Sequence, residues 1–237
     1  LKAITLDNSQ QNSLLRLAQE GISVYSPHTA VDAAPGGLNE WLVDIVTAKE
    51  RSRTVDSGAV IPHSLSVVTP VKDVPDGFDG AGYGRVVRFQ TPQTLSAIIR
   101  RIADHLGVPY VNVAVPQNVY HKYKANIEIY SVGICAGSGG SILNGLDVDL
   151  LFTGEMGHHE ALAAIEQGRC VITAFHSNTE RGFLASRMKS ALEKEIEKEI
   201  HAVVENKEED VFDTSVSVEV SQKDRDPFVI VNAEDFY

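Results

Sequence analysis

The chain has 237 residues, 43% hydrophobic and 22% charged, with 21 basic against 32 acidic side chains and a net charge of −11. This profile excludes disordered, collagen-like and coiled-coil chains, and the acidic balance argues against direct nucleic-acid binding, which needs Lys and Arg to neutralise phosphates. No apolar run reaches the ~18 residues of a membrane span, and two cysteines, Cys135 and Cys170, are too few for a disulfide framework and fit a reducing, cytoplasmic setting, with nuclear or mitochondrial placement as alternatives.

Apolar runs and amphipathic stretches alternate along the chain. Asn8 to Glu20 reads as a helix stopped by Gly21, and Ile22 to Ser26 as a strand. Leu38 to Ala48 is helical after the Pro35-Gly36-Gly37 breaker. Residues 49–83 read as loops with a short strand near Leu65–Val68, and they connect two halves. Arg85 to Phe89 is a strand, and Thr91-Pro92 then starts a helix with Thr91 as N-cap. Leu95, Ile98, Ile99, Ile102 and Leu106 give that helix its apolar face, and Gly107 closes it. Val111–Val115, Asn126–Ala136, Asp147–Thr153 and Cys170–Ala174 are strands, and His158–Gln167 is a helix. A long helix runs from Thr179 to about Glu205, and Val216–Val220 and Phe228–Val231 close the chain as short strands. This alternation predicts α/β layers around a mixed, partly parallel sheet. The mixed-charge run Glu193–Asp213 is either an acidic docking segment or a solvated helix face with i,i+4 pairs followed by a loop.

Two strings share one grammar: Val24-Tyr-Ser-Pro-His28-Thr-Ala-Val-Asp32 and Ile172-Thr-Ala-Phe-His176-Ser-Asn-Thr-Glu180. In each, an apolar strand gives way to a His, with a carboxylate four residues later. Ligands bind beyond the carboxyl ends of strands in open α/β sheets, and a helical turn brings the two side chains towards one point. Imidazole with carboxylate suits Zn, Mn or Fe, and two such strings could supply one dinuclear site. The competing reading is a pair of satisfied loop histidines. A third string, leading into His158-His159-Glu160, offers site candidates, or a helix cap and a packing residue. The turn Gly137-Ser138-Gly139-Gly140 could cradle a phosphate or carboxylate on its N–H groups, or could be a tight turn permitting close packing. Cys135 and Cys170 read as buried hydrophobes. His63, His105, His121 and His201 read as surface or packing residues.

Taken together, these strings resemble the Ngg-interacting-factor-like proteins, also called GTP cyclohydrolase type-two homologues. The matching pieces are Ser26-Pro-His28-Thr-Ala-Val-Asp32 with Gly36-Gly37 and Asn39-Glu-Trp-Leu42; Gly82-Tyr-Gly-Arg85; Cys135-Ala-Gly-Ser-Gly-Gly140; Asp149-Leu-Leu-Phe-Thr-Gly-Glu155 with His158-His159; His176-Ser-Asn-Thr-Glu180-Arg181; and Asp224-Arg-Asp-Pro227. They follow the family's order over nearly the whole chain. The resemblance implies two intertwined three-layer α/β/α domains with mixed sheets, here 1–70 as the remainder of the first and 71–237 as the second. It also implies a site for two divalent metal ions (Zn, Mn or Fe) and a homohexamer. Asp32, His176 and Glu180 are the implied metal ligands, with Glu180 bridging and His28, His158 and His159 nearby. The family's first metal motif, a His or His pair before a Pro, is expected upstream of Leu1, so the chain as written is expected to hold metal incompletely.

Two functions follow as expectations. One is a dinuclear-metal-dependent hydrolase acting on a nucleotide or phosphorylated small molecule, with His28 or His158 moving protons and Gly137, Ser138 and Gly139 contacting a phosphate. The other is a non-catalytic metal-binding adaptor in transcriptional or other regulatory complexes, with a regulatory protein as partner.

Overall fold

In a computed structural model, residues 4–50, 59–122, 127–205, 215–232 and 234 are described. The chain divides into two compact units, 1–31 and 32–237.

The first unit carries α1 (Ser9–Gln19). Its N-cap is Asn8, whose side chain accepts the N–H groups of Gln10 and Gln11 at 3.1 Å each, as a capping residue should. The strand expected at Ile22–Ser26 does not form: among the described residues this stretch pairs with no other strand, and Tyr25 is 88% exposed. β-branched and aromatic residues favour strands only when a ladder and a packed face are supplied.

In the second unit, α2 (Thr29–Ala33) and α3 (Leu38–Val46) precede a six-stranded mixed sheet in the order β1-β2-β4-β5-β6-β3. The strands are β1 (His63–Pro70), β2 (Gly82–Thr94), β3 (Asn112–Ala114), β4 (Glu128–Ser138), β5 (Leu150–Glu155) and β6 (Cys170–Thr173). β4, β5 and β6 are parallel; β1 and β2 on one side and β3 on the other are antiparallel additions. The α/β class and mixed sheet agree with the sequence reading. β1 and β2 lie in this one sheet, so residues on both sides of position 70 share it.

One sheet face buries Val86, Cys135, Leu151 and Val171 against Leu143 of α5 (Gly140–Leu143) and Ala164 of α6 (His158–Glu166). The alternate residues Val87, Ile134, Phe152 and Ile172 point the other way and are equally buried. α3 and α4 (Leu95–Leu106) pack against β2. α3 is buried along almost its whole length, with Glu40 the residue left partly open. Both cysteines are buried and free, and burial pushes their thiols up to about 12 for Cys135 and about 11 for Cys170.

Two boundaries differ from expectation. The cap of α4 is Thr94, whose Oγ1 accepts the Ala97 N–H at 3.3 Å; Thr91 and Pro92 belong to β2. The β2–β4 register shifts between Arg88 and Gln93, so Pro92 sits at an irregularity where the ladder does not need its missing N–H. The second concerns Val216–Val220 and Phe228–Val231, which are not strands: among the described residues they join no ladder. Side-chain contacts to residues 177 and 181 hold this region instead. The expected long helix is present as α7 (Arg181–Phe183), a π-turn at Leu184–Met188 and α8 (Lys189–Glu205). No helix among the described residues is long and apolar enough to cross a membrane.

Candidate functional site

Because β4, β5 and β6 are parallel, their C-terminal ends emerge together, and each delivers one polar side chain. Ser138 ends β4 and lies in register with Glu155, which ends β5. His176 follows β6 in the turn leading to α7. The Ser138 hydroxyl donates to Glu155 Oε1, and His176 Nδ1 lies 2.8 Å from the same oxygen. His176 Nε2 faces Glu180 Oε1 at 3.2 Å. Two hydrogen bonds, first from Ser138 and then from His176, hold the Glu155 carboxyl below its usual range. The Glu155 hydrogen bond, aided by the charges of Glu180, Glu155 and Asp226 and opposed by burial, raises His176 above its ordinary value. Both ring nitrogens face carboxylate oxygens, so the protonated imidazolium is favoured.

The backbone around these side chains is pinned from several directions. Thr179, fully buried, accepts the Gly137 N–H at 2.9 Å and donates to the His176 carbonyl at 2.7 Å. Thr153, also fully buried, accepts the Gly139 N–H and donates to the Gly137 carbonyl, both at 2.9 Å. The N–H groups of Gly137 and Gly139 are thus engaged inside the protein, and α5 has only four residues. The turn therefore packs closely, with two of its N–H groups already taken by Thr179 and Thr153. A Cβ on Gly137 would come within 2.8 Å of Glu180 Oε1 and 2.9 Å of His176 Nε2. The missing side chain leaves the space that the imidazole and carboxylate share. Gly137 also has φ +61°, a conformation that favours glycine.

Phe175, immediately before His176, has φ +65°. For a bulky residue this is an outlier costing of order 1–3 kcal/mol, and such strain persists only where surrounding contacts fix it.

Asp32 is held at the same end of the sheet through Asn39. The fully buried Asn39 amide donates to the Asp32 carbonyl at 3.0 Å and accepts the Ala136 N–H at 2.9 Å. The Asp32 charge is close enough to add to the burial that raises Cys135. Arg85, 1% exposed, fixes the neighbouring backbone. Its guanidinium donates to the carbonyls of Gly82, Gly84 and Ala33 and reaches Glu40 Oε1 at 3.1 Å.

The structure thus brings His176, Glu180 and Glu155 together and sets Asp32 nearby. Among the described residues, no three His, Cys, Asp or Glu side chains converge closely enough to hold one ion. His158 is exposed at the start of α6, edge-on to His159 at 5.4 Å between ring centroids, and does not join the His176 cluster. The helix cap expected of it is Gly157, whose N–H donates to Glu160 at 2.9 Å. His28 lies exposed in the 1–31 unit with φ +45°. His63 and His105 place ring nitrogens against backbone carbonyls, which agrees with packing roles. His201 is exposed on α8. The side chain of His121 and the stretch 206–214 lie outside the described residues.

A cavity of about 530 Å³ opens beside the cluster, walled by Glu155, Met156, Phe175, His176, Asp226 and Phe228 among others. Asp226, 8% exposed, accepts the Ser177 N–H at 3.1 Å, and Asp224 takes the Arg181 guanidinium in a two-bond fork at 2.7 and 2.6 Å. Glu155, Asn39 and Asp226 lie within the family-like motif strings, but their spacing in the sequence assigns them no role. Their common signal is a polar residue at the end of an apolar run or in a short loop, which spacing alone does not distinguish from solvated polarity.

The sequence pattern of the Duf34/NIF3 (NGG1p interacting factor 3) family matches residues 1–210. The chain belongs to the Duf34/NIF3 family. In Schizosaccharomyces pombe, a relative named Protein NIF3 homolog is 41% identical over 199 residues, 84% of this chain and 65% of the relative. In Saccharomyces cerevisiae, NGG1-interacting factor 3 is 42% identical over 192 residues, 79% of this chain and 61% of the relative. The NIF3 chain described above therefore spans less than two thirds of these two relatives' length. The crystal structure of a Bacillus cereus protein related to NIF3 shares its fold at TM-score 0.64 and 17% identity, covering 98% of this chain and 80% of that one.

Proposed function

We propose that this NIF3 chain is a divalent-metal-dependent hydrolase whose cation is held by His176 and Glu180; Asp32, at the same end of the sheet but not converged with them, would have to move inward to become a further ligand. The observation that carries this reading is the 3.2 Å separation of His176 Nε2 and Glu180 Oε1 while Nδ1 is tied to Glu155. Two ligand atoms on a tetrahedral cation at ~2.0–2.1 Å lie about 3.3 Å apart. A carboxylate on the far ring nitrogen is the partner that fixes the tautomer of a metal-binding imidazole. The bare Gly137 backbone leaves the two donors uncrowded. The donor set, imidazole and carboxylate, suits Zn, Mn or Fe.

When bound, such a cation lowers the pKa of a bound water and stabilises charge on a phosphoryl or carbonyl oxygen. The chain's own groups do the rest. Glu155 keeps the His176 Nδ1 proton in place, and Phe175 and Phe228 form an apolar wall on one side of the cavity. Among the described residues the cavity lining has two carboxylates, Glu155 and Asp226, and no Lys or Arg. A nucleotide or other phosphorylated substrate would therefore set its phosphate against the cation and its uncharged portion against the aromatic wall.

A second reading, a non-catalytic metal-binding adaptor, draws on the name of the Saccharomyces cerevisiae relative and on the exposed apolar run Phe228–Val231, in which Val229 is 72% exposed. Calorimetric titration with Zn2+ or Mn2+, with elemental analysis, tests the metal site. Glu180→Ala should abolish binding, and Asp32→Ala should remove part of the stoichiometry. Equal metal content in wild type and Glu180→Ala would overturn the assignment. Metal binding without hydrolysis across a nucleotide and sugar-phosphate panel would favour the adaptor.

A further inference from the structure

We propose that Asp226 is a positioning residue for His176: the segment Ser221–Phe228 grips the residues on either side of that histidine and fixes its imidazole between Glu155 and Glu180.

His176 sits between Phe175, whose backbone is strained at φ +65°, and Ser177, whose N–H points to Asp226 Oδ2 at 3.1 Å. The other Asp226 oxygen accepts the Phe228 N–H at 3.0 Å, so the carboxylate is itself locked before it meets the turn. Phe228 then places its ring 6.2 Å from that of Phe175, tilted by 34°. One short loop thus holds Ser177 by a charge-assisted hydrogen bond and Phe175 by an aromatic contact. A strained residue relaxes when its neighbours stop enforcing it. Here relaxation would rotate the adjacent His176 away from both carboxylates. Asp226 is buried, so its contacts are not weakened by water as surface polar contacts are.

Arg181 and Asp224 dock the same loop by a second, independent contact. The Asp224 side chain is 58% exposed, and its carboxylate is engaged by Arg181 rather than by a neighbour of His176. If Asp226 only attached the loop, losing either aspartate would have the same result. If it positions His176, the two losses must differ.

The test compares Asp226→Ala, Asp226→Asn and Asp224→Ala in the full chain. Imidazole 15N signals are read on chelator-treated protein, with His176 assigned from His176→Gln, and Co2+ affinity is read separately. Wild type should show one fixed His176 pattern, with Nδ1 and Nε2 each donating to a carboxylate. Asp226→Ala should move it towards the averaged pattern of a free histidine and weaken Co2+ by about 10-fold or more, as loss of supporting contacts does. Asp226→Asn, which keeps one of the two acceptor oxygens, should fall between. Asp224→Ala should leave the imidazole signals in place. A wild-type pattern in folded Asp226→Ala would overturn the proposal, as would equal changes in Asp224→Ala. If Asp226→Ala does not fold, the same signals in Asp226→Asn decide. The significance for cation binding rests on the metal reading above. Should wild type take up no Co2+, that reading falls, while the metal-free imidazole signals still judge the positioning.

Discussion

Replacing Gly137 with Ala separates backbone strain from crowding at the His176–Glu180 pair. At φ +61° an alanine costs about 1–2 kcal/mol relative to an ordinary conformation. Its Cβ would also lie 2.8 Å from Glu180 Oε1 and 2.9 Å from His176 Nε2. Ordinary contacts are ~3.5–4.0 Å, so one or both donors must shift by close to 1 Å. His176 cannot yield freely, because Glu155 holds its other nitrogen. Displacing donors on this scale should weaken Zn2+ or Co2+ binding by about 10–100-fold, the range for disturbed support of a metal ligand. Gly145→Ala is the matched control, with φ +80° and nothing within 4 Å of its Cβ. Urea unfolding should show a loss of about 1–2 kcal/mol in both variants. Calorimetric metal titration should show the affinity loss in Gly137→Ala alone. Equal metal affinity in the two variants would refute the argument that Gly137 keeps the cation's place open.

Other outcomes follow from the same contacts. His63→Ala and His105→Ala should keep wild-type metal affinity, since their rings serve backbone carbonyls; loss of metal in either, by elemental analysis, would contradict this. Arg85→Met should cost about 1–3 kcal/mol in urea unfolding, the loss expected when buried carbonyl acceptors lose their donor. A cost below that of an exposed surface substitution would show that Glu40 and the three carbonyls find other partners. The Arg181 guanidinium beside Asp224 holds that carboxyl below its usual range. Its contribution is therefore present above the unfolded carboxylate pKa, about pH 4, and is lost as pH falls through the lower folded value. Asp224→Asn should flatten the acid side of the stability profile, with the difference shrinking in high salt because the pair is partly exposed.

The sequence made the scaffold legible because its strands are apolar runs ended by polar residues. β4, β5, α4 and β6 were visible this way, and Gly107 marked the end of α4 by the left-handed conformation that its position demands. Ile22–Ser26 and Phe228–Val231 look like strands for the same reason and are not, because local apolar character does not say whether a partner strand exists. Pro92 read as a helix start because N1 favours proline, whereas the irregular β2–β4 register offered another place without an N–H. At the site, the His-x-x-x-carboxylate spacing correctly paired His176 with Glu180. Glu155 and Asp226 were not legible as partners of His176, since they come from β5 and from a loop 21 and about 50 residues away. Only the parallel register and the loop's return path bring them close. The Gly137 turn invited a phosphate because glycine-rich turns expose N–H groups; Thr153 and Thr179, distant in sequence, take up two of those groups.

The 49-residue separation between Ser177 and the carboxylate that caps its N–H bears on how the protein is made. Synthesis is directional and chains begin folding before they are finished. The parallel strands that present Ser138, Glu155 and His176 are all translated by residue 176, so a nascent chain can form the sheet while the histidine turn is still ungripped. Asp226 and Phe228 arrive only after the whole of α8 has been added. During that interval Phe175 is free to leave its strained conformation, and His176 is free to find other partners. The imidazole would then be fixed between Glu155 and Glu180 only once the chain has been extended past Phe228.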